Sequence, residues 1–507
     1  MKRNDLSRNF NFRNSQEPAA LNIFRVLFVA MVMALIGVVF PRDAEALPSF
    51  ARQTGQACGS CHTDFPQLTP FGRRFKLGGY TLGGGQDSSE YKKVFGSNQW
   101  VPPISFMGQI TLEQTKKGQG TSDFGSVVQD TQLSMPQGSI FYGGAITNEL
   151  GAFVQATLGA GSGFALDNTD IRYVKSGSLF GKDILVGITA HNNPTVQDAW
   201  NTQSAWGFPF IGPSIAPTPA ASTAIEGAFS GKVLGIGAYT FIDDKLYLEA
   251  TVYKGFDRRW QNTLINSGNF DNTVMDKLSP YFRVAFEPHW GNHWLMVGGY
   301  WFSTSKNNCY DTNDVNLVCP GPGPWLGGSD KFVDIGVDAQ YQYMGDNYAL
   351  TLRANYVHEK QTLDSSFANM VSDNPTNRLN SFKAQASYAW NTATPGNKWV
   401  FTAGYFNTWG STDCLLYQGS TGCSDPTVTT ALTGSANGSP NSNGWIAEIA
   451  WFPYAMSKSP LWPYFNARVG LQYTWYNKFN GASSNYDGNG RNASDNNTLL
   501  MYYWFAL

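Results

Sequence analysis

Two cysteines and one histidine near the N-terminus have residue types and a spacing that can do chemistry. Cys58 and Cys61 are separated by two residues, and His62 follows directly. Two thiols at this spacing can bond the two vinyl groups of one porphyrin, and the adjacent histidine can then bind its iron. A local disulfide or half of a zinc site would use the same thiols, but no second Cys/His pair stands at zinc spacing. The motif therefore predicts one covalent haem c on Cys58 and Cys61, with His62 as an axial ligand.

The remaining four cysteines stand in two close pairs. Cys309 pairs with Cys319, and Cys414 pairs with Cys423, each across a short polar stretch. In an oxidising compartment such a pair most simply forms a loop disulfide, and metal binding by these thiols is the alternative. The spacing predicts two disulfides.

The first 46 residues have the pattern of a secretory signal peptide. Basic residues precede an apolar run from Val26 to Phe40, and Ala44 and Ala46 suit cleavage by signal peptidase. An uncleaved membrane anchor is the alternative, but this run is short for a span of ~20 residues. We expect cleavage after Ala46 and a mature chain that folds outside the cytoplasm.

The composition excludes several classes of protein. Charged residues make up 14% of the 507 residues, aromatic residues make up 15%, and 53 residues are glycine. Intrinsic disorder needs few aromatic residues and a high net charge. A formal net charge of −2 offers no basic surface to nucleic acid. Because the chain has one long apolar run, a bundle of membrane helices is excluded too. A charge-poor chain rich in glycine and aromatic residues indicates all-β structure.

From Pro103 onward, apolar and polar side chains alternate in successive stretches. Alternation at period two marks a strand whose two faces meet different surroundings. Sixteen stretches follow this pattern: 103–115, 136–147, 149–160, 168–176, 183–192, 231–242, 245–254, 279–288, 293–304, 331–343, 347–359, 380–391, 397–408, 444–453, 462–476 and 497–507.

Short and long connections alternate between these predicted strands. Thr147-Asn148 and Asp243-Asp244 are short turns, whereas 192–230 and 409–443 are long loops. This asymmetry is typical of outer-membrane β-barrels, which have short periplasmic turns and long external loops. A soluble sandwich or propeller is the alternative, but the chain has no blade-length repeat. We therefore expect an antiparallel barrel of about 16 strands in the outer membrane of a Gram-negative bacterium.

The pattern divides the chain into three regions. A signal peptide (1–46) is followed by a monohaem cytochrome c segment (47–102) and a porin-like transmembrane barrel (103–507). The middle region is too short for an ordinary independent domain. We expect it to plug the lumen or to cap its periplasmic mouth.

The strand alternation also selects the side chains that face the lumen. Met107 on the first strand and His191 on the fifth both turn inward, and either could be the second axial ligand of the haem; packing is the alternative role of each. The 192–230 loop could fold inward and narrow the pore, or stay external. The inward-facing charged residues are Glu113, Asp170, Arg172, Glu249, Arg283, Asp334, Asp338, Arg353, Lys383, Glu448 and Arg468.

The residues that flank the haem motif are more specific than the motif itself. Pro48-Ser49-Phe50-Ala51-Arg52-Gln53-Thr54-Gly55 precedes it, and Pro66-Gln67-Leu68-Thr69-Pro70-Phe71-Gly72-Arg73-Arg74-Phe75-Lys76-Leu77-Gly78-Gly79-Tyr80 follows it. These runs resemble the fused outer-membrane monohaem cytochrome–porin family, whose best-known members are the iron oxidases of iron-oxidising bacteria. The resemblance implies the same haem attachment sites, Cys58 and Cys61, and the same axial ligand, His62. Over the barrel it extends only to architecture and length.

These features together predict electron transfer across the outer membrane. A haem inside a barrel could pass electrons through the ~30 Å apolar layer. We expect oxidation of extracellular Fe(II) and transfer of the electron to a periplasmic carrier such as a soluble cytochrome c. No catalytic residue beyond the haem can be assigned, because loop carboxylates are usually only solvated. The carboxylates in predicted external loops are Asp198, Asp257, Asp311 and Asp413. The alternatives are a diffusion porin with a haem-bearing gate or sensor, and electron transfer from a donor other than iron.

Overall fold

The computed structural model of the chain describes residues 47–82, 103–118, 131–158, 163–265, 274–307, 326–392, 397–418, 434–454 and 462–507. The predicted signal peptide and residues 83–102 of the predicted haem segment lie outside these ranges. So do Cys309, Cys319 and Cys423, which leaves both disulfides as predictions.

Sixteen long strands form a single antiparallel sheet in the described residues, and all sixteen predicted strands are confirmed. In chain order they are β1 Ile104–Thr115, β2 Thr131–Ala145, β3 Leu150–Leu158, β4 Phe164–Leu179, β5 Lys182–His191, β6 Val233–Ile242, β7 Leu246–Gly255, β8 Ser279–Phe286, β9 His293–Asn307, β10 Asp330–Met344, β11 Tyr348–Thr362, β12 Thr376–Asn391, β13 Lys398–Gly410, β14 Ser442–Phe452, β15 Asn466–Lys478 and β16 Thr498–Ala506. Two strands of two residues, Val274–Met275 and His289–Trp290, pair with β9.

The sheet closes on itself, because the first strand pairs with the last. Met107 of β1 lies opposite Ala506 of β16, and the register continues to Thr115 opposite Thr498. Closure leaves no strand edge exposed, as an apolar bilayer requires of a β-structure.

The two faces of the barrel wall differ in polarity. Ile188, Val284 and Val337 point outward and are exposed, whereas their chain neighbours Thr189 and Arg283 point inward and are buried. An exposed apolar belt around a closed barrel is stable in lipid, because its side chains contact hydrocarbon and not water. The chain is therefore an outer-membrane β-barrel.

The connections at the two ends of the barrel differ in length. Asp243 and Asp244, both with positive φ, form the tight turn between β6 and β7. At the other end, the connections include 192–232 between β5 and β6 and 411–441 between β13 and β14. β1 begins and β16 ends at the short-turn end, which is the periplasmic end in barrels of this type.

Helices occupy a small part of the described chain. They are α1 Pro48–Thr54, α2 Cys58–Cys61, α3 Pro70–Leu77, α4 Arg258–Ile265, α5 Asp364–Ala368 and α6 Cys414–Gln418, with 3₁₀ turns at Ser204–Trp206 and Ala493–Asn496. In the described ranges, no helix is both long enough and apolar enough to span a bilayer.

Glycines on the inner wall let tyrosine rings lie flat against the neighbouring strand. Tyr300 of β9 covers Gly336 of β10, and Tyr502 of β16 covers Gly470 of β15; a Cβ on either glycine would collide with the ring. This close packing narrows the lumen with buried aromatic rings.

Candidate cofactor site

The Cys-x-x-Cys-His motif forms one turn of helix at α2. The His62 amide donates to the carbonyl oxygen of Cys58 over 2.9 Å, which closes the turn. Residues three apart in a helix project from the same side, so Cys58 and Cys61 present their thiols together. The turn thus prepares two thiols and one imidazole for a single ligand.

The residues after the motif fold back and pack on it. The Thr69 amide donates to the Cys61 carbonyl over 2.8 Å, and its hydroxyl donates to the Ser60 carbonyl over 2.5 Å. The Thr69 hydroxyl oxygen also accepts from the Gly72 amide, which caps α3. A Cβ on Gly72 would collide with the Cys61 carbonyl, so this close approach needs glycine.

Helix α1 fastens the same segment to the first two strands. The Arg52 guanidinium donates to the Ile104 carbonyl over 2.6 Å, and the Ser49 amide donates to the Ser105 hydroxyl over 3.1 Å. Gln53 accepts from the Ala145 amide of β2 and donates to the Tyr80 carbonyl. Three residues from the run that precedes the motif therefore have a structural role in docking α1.

Residues 47–82, which we call the lumenal segment, lie inside the barrel. The Tyr80 hydroxyl donates to Asp170 of β4 over 2.6 Å, and Arg73 forms an ion pair with Glu287 in the turn after β8. From the wall, Lys398 of β13 donates to the Thr63 carbonyl and Arg468 of β15 donates to the Phe65 carbonyl. Because these partners surround the lumen, the segment lies inside the barrel, which is one of the two positions that the sequence left open.

The connection 192–232, which we call the inner loop, folds into the lumen. This is one of the two positions that the sequence left open, the other being outside the barrel. Lys76 of the lumenal segment donates to the Val196 and Asp198 carbonyls of the inner loop over 2.6 and 2.8 Å. Asn201 returns a hydrogen bond to the Pro66 carbonyl over 2.8 Å. The lumenal segment and the inner loop are therefore packed directly on each other.

The sequence led us to expect Asp198 in an external loop, and this expectation is wrong. Asp198 is buried inside the barrel and lies 3.3 Å from Arg283 of β8, which also contacts Asp338 of β10 over 2.7 Å. The Asp198 carboxylate accepts from the Trp200 and Thr202 amides as well. Asp198 therefore anchors the inner loop to the barrel wall through Arg283, and its burial makes it inaccessible to a soluble metal ion.

We expect Arg283→Ala to destabilise the barrel by about 3 kcal/mol, because it leaves the buried Asp198 and Asp338 without their cation. Unfolding midpoints in denaturant, read from heat-modifiable gel mobility, would measure the change. Lys182→Ala is the control, since its pair with Asp243 is exposed and solvent screens the attraction between the two charges. Equal losses in the two variants would contradict the role of Arg283.

The other inward-facing charges have similar roles. The carboxylates of Glu113 on β1 and Asp334 on β10 accept hydrogen bonds from the backbone amides of Ser214 and Ile225, respectively. Lys383 of β12 lies 2.5 Å from Glu226. The predicted inward orientation of these residues is confirmed. Their partners lie mostly in the inner loop and the lumenal segment, so charges of both signs hold those elements in place.

A cavity of about 450 Å³ lies between the lumenal segment, the inner loop and the barrel wall. Cys58, Cys61 and His62 all line it. Most of the remaining lining is apolar or aromatic, and includes Phe50, Phe65, Phe75, Met107, Phe141, Phe153, Trp206, Phe210, Ile211 and Trp504. The predicted haem-binding residues therefore share one apolar cavity, which suits a large planar macrocycle.

The environment of His62 favours a neutral ring with one nitrogen available. Nδ1 lies 3.2 Å from the Gln67 carbonyl oxygen and donates to it, which leaves Nε2 with its lone pair. Desolvation inside the barrel lowers the pKa of His62 to about 4, so the ring is neutral at pH 7. A neutral imidazole held through Nδ1 is the form in which histidine binds metals.

The two thiols do not match the other uses of a Cys-x-x-Cys motif. Cys58 and Cys61 are not joined by a disulfide. Burial, assisted by the nearby Cys58, raises the pKa of the Cys61 thiol to about 12, so the free thiol is neutral at pH 7. Among the described residues, no group of three or more His, Cys, Asp or Glu side chains could hold a metal ion.

The two candidates for the second axial ligand lie in different places. Met107 lines the cavity beside Phe75, Phe141 and Phe153. His191 is not among the lining residues; its Nε2 lies 2.8 Å from the Tyr253 hydroxyl, and its Nδ1 contacts Thr189. The structure brings Met107 together with the haem motif and leaves His191 in a separate buried network.

Sequence reasoning missed most of the cavity wall. Phe141 of β2, Phe153 of β3 and Trp206 of the inner loop contribute large aromatic faces. Phe141 and Phe153 break the usual alternation, because they are aromatic residues on an otherwise polar inner face. Large apolar residues at inward positions are the signal that could have located this cavity.

Comparisons with known proteins bear only on architecture. No protein-family model matches the chain, and no curated protein matches it in sequence. Among solved structures, the chain is similar to an anion-selective porin from Comamonas acidovorans (11% identity, TM-score 0.42, covering 80% of this chain and 98% of the porin). It is also similar to OprB from Pseudomonas putida (12%, 0.41, 80% and 92%) and to OmpT from Vibrio cholerae (9%, 0.39, 80% and 97%). Likeness at this level says nothing about what the chain binds.

Proposed function

We propose that this outer-membrane barrel carries one covalent haem c in its lumen and uses it to transfer electrons. The observation that supports the proposal is the shared cavity of Cys58, Cys61 and His62. The resemblance of the flanking residues to the fused cytochrome–porin family supports it independently.

Each residue of the motif has a defined part in holding the haem. The Cys58 and Cys61 sulfurs would add across the two vinyl groups as thioethers, and Nε2 of His62 would bind the iron. When bound, the haem supplies a reversible one-electron redox centre, and the protein supplies its position and environment. The largely apolar lining would reduce the polarity around that centre, which is one way in which proteins tune the potential of a haem.

The position of the cavity suits delivery of electrons to the periplasm. The lumenal segment contacts Glu287 and Lys398, which lie at or beside short turns. The short-turn end is the periplasmic end in barrels of this type, so a soluble carrier such as a cytochrome c could approach it.

We further propose extracellular Fe(II) as the electron donor. Oxidation of Fe(II) to Fe(III) releases one electron, which matches the capacity of a single haem. Oxidised iron precipitates at neutral pH, so a cell benefits from removing the electron outside its periplasm. The supporting observation is the resemblance of the haem segment to a family that includes iron oxidases.

The test is anaerobic addition of Fe(II) to the oxidised protein purified in detergent. Reduction of the haem, followed by its absorbance bands, is the expected result. Dithionite is the control that shows a reducible haem. A haem that dithionite reduces and Fe(II) leaves oxidised would overturn the iron proposal and leave electron transfer from another donor. A protein without covalent haem would overturn the whole proposal.

The second candidate function is a diffusion channel whose lumenal segment is a haem-bearing gate or sensor. The closed barrel of sixteen long strands favours it, because that is the architecture of aqueous pores. The buried contacts of the lumenal segment and the inner loop oppose it, since both elements occupy the lumen. Ion conductance separates the two functions.

A further inference from the structure

We propose that Met107 is the second axial ligand of the haem, an inference that rests on the proposed function. His62 reaches the cavity from the lumenal segment, whereas Met107 reaches it from strand β1 of the barrel wall. Iron bound by both side chains would join the two elements. The haem would then fix the lumenal segment to the barrel in addition to serving as a redox centre.

No other histidine of the chain lines the cavity. His191 is engaged by Tyr253 and Thr189 in a separate network. His293 pairs with the Tyr341 hydroxyl over 2.7 Å, and His358 pairs with the Asn380 side chain over 2.8 Å. The remaining ring, His289, stacks on Trp294 in the turn between β8 and β9.

Met107 is also the only methionine among the described residues that lines the cavity. Met275 and Met296 are buried in other clusters, and Met344 packs against the cluster that contains Phe65 without lining the cavity. Residues 83–102, which connect the lumenal segment to β1, contain neither histidine nor methionine. The part of the chain nearest to the motif in sequence therefore offers no further histidine or methionine as a ligand.

Three other side chains in the lining, Lys76, Tyr80 and Asp167, could bind iron through nitrogen or oxygen, and all three are engaged. The Asp167 carboxylate accepts from the Thr157 hydroxyl over 3.0 Å. Nζ of Lys76 donates to the Val196 and Asp198 carbonyls, and it lies 4.8 Å from the centre of the Trp206 ring. The Tyr80 hydroxyl donates to Asp170. The Met107 thioether needs no hydrogen-bond partner, and it packs among Phe75, Phe141 and Phe153 as apolar sulfur does.

The assignment has a consequence for the redox chemistry. A thioether sulfur stabilises ferrous iron relative to a second imidazole and so raises the reduction potential. Transfer of an electron from Fe(II) has a larger driving force when the potential of the haem is higher. Met107 therefore suits the donor proposed above better than a second histidine would.

The experiment compares full-length Met107→Leu and Met107→His with Met135→Leu. Met135 is the matched control, because it lies on the neighbouring strand β2 and points outward with 64% of its surface exposed. The readouts are haem staining on a denaturing gel, the sulfur-to-iron charge-transfer band, the electron paramagnetic resonance spectrum of the ferric protein, and the reduction potential.

We expect Met107→Leu to keep its covalent haem, to lose the charge-transfer band and to turn from low to high spin. Met107→His should stay low spin with a more negative potential, and Met135→Leu should match the unaltered protein. A charge-transfer band and spin state unchanged in Met107→Leu would overturn the ligand assignment alone. Absence of covalent haem from the unaltered protein would overturn both the assignment and the proposed function.

Discussion

Replacement of Cys58 and Cys61 together by alanine is expected to give a folded barrel with no covalent haem. Both thiols line the cavity, so both thioether bonds are lost while the barrel wall is untouched. Haem staining on a denaturing gel should fall to background, and the mass of the chain should lose the haem. Each single variant should keep one thioether and stain more weakly than the unaltered protein.

A second pair of cysteines provides the matched control. Cys414→Ser with Cys423→Ser also removes two thiols, but Cys414 lies in α6 between β13 and β14, away from the cavity lining. This control should keep full haem staining. Equal loss of haem from both double variants would show that the effect comes from export or folding, and would contradict the assignment of Cys58 and Cys61.

The barrel could be predicted almost completely from the sequence, because lipid and lumen impose opposite demands on successive residues. Outward Ile188 and Val284 alternate with inward Thr189 and Arg283, so period two is visible without any partner strand. Strand ends were less accurate. β4 runs from Phe164 to Leu179, beyond the predicted 168–176, since its ends extend past the apolar belt that creates the pattern.

The contacts inside the lumen could not be predicted as completely as the barrel, because they join distant parts of the chain. The pairing of Asp198 with Arg283 depends on how the inner loop enters the lumen. The apolar and polar residues of the inner loop follow no simple period, so the sequence could not decide whether this loop lies inside the lumen or outside the barrel. The cavity combines residues of the lumenal segment, the inner loop and several strands, and only the closed barrel brings them together.

The two candidate ligands show why depth in the barrel matters as much as orientation. The alternation of apolar and polar residues predicted that Met107 and His191 both face the lumen. It could not show which of the two lies closer to the haem motif. Met107 lies near the start of β1 at the short-turn end, whereas His191 is the last residue of β5 at the long-loop end. Because a strand rises ~3.3 Å per residue, counting from the turns would have separated the two residues in depth.

Removal of the lumenal segment is expected to open the barrel to ions. Deleting residues 48–82, with the signal peptide kept, removes the side chains of Arg73, Lys76 and Tyr80 from the short-turn end of the lumen. The charged wall residues Asp170 and Glu287 would then be solvated by water. We expect conductance in planar bilayers to rise by about tenfold, because a barrel of this strand number is wide enough for an aqueous channel. The deletion clears the lumenal segment from that channel and removes the contacts of Lys76 and Pro66 that help to hold the inner loop inside.

The Cys58→Ala/Cys61→Ala protein is the control for this measurement, since it lacks haem but keeps the lumenal segment. If the segment itself blocks the pore, this control should conduct as little as the unaltered protein, and only the deletion should conduct well. Heat-modifiable gel mobility first shows that each barrel is folded. High conductance of the unaltered protein would instead support the diffusion channel, because ions would then pass the segment with its contacts intact. High conductance of the haem-free control alone would mean that the haem, and not the packing of Arg73 and Lys76, closes the path.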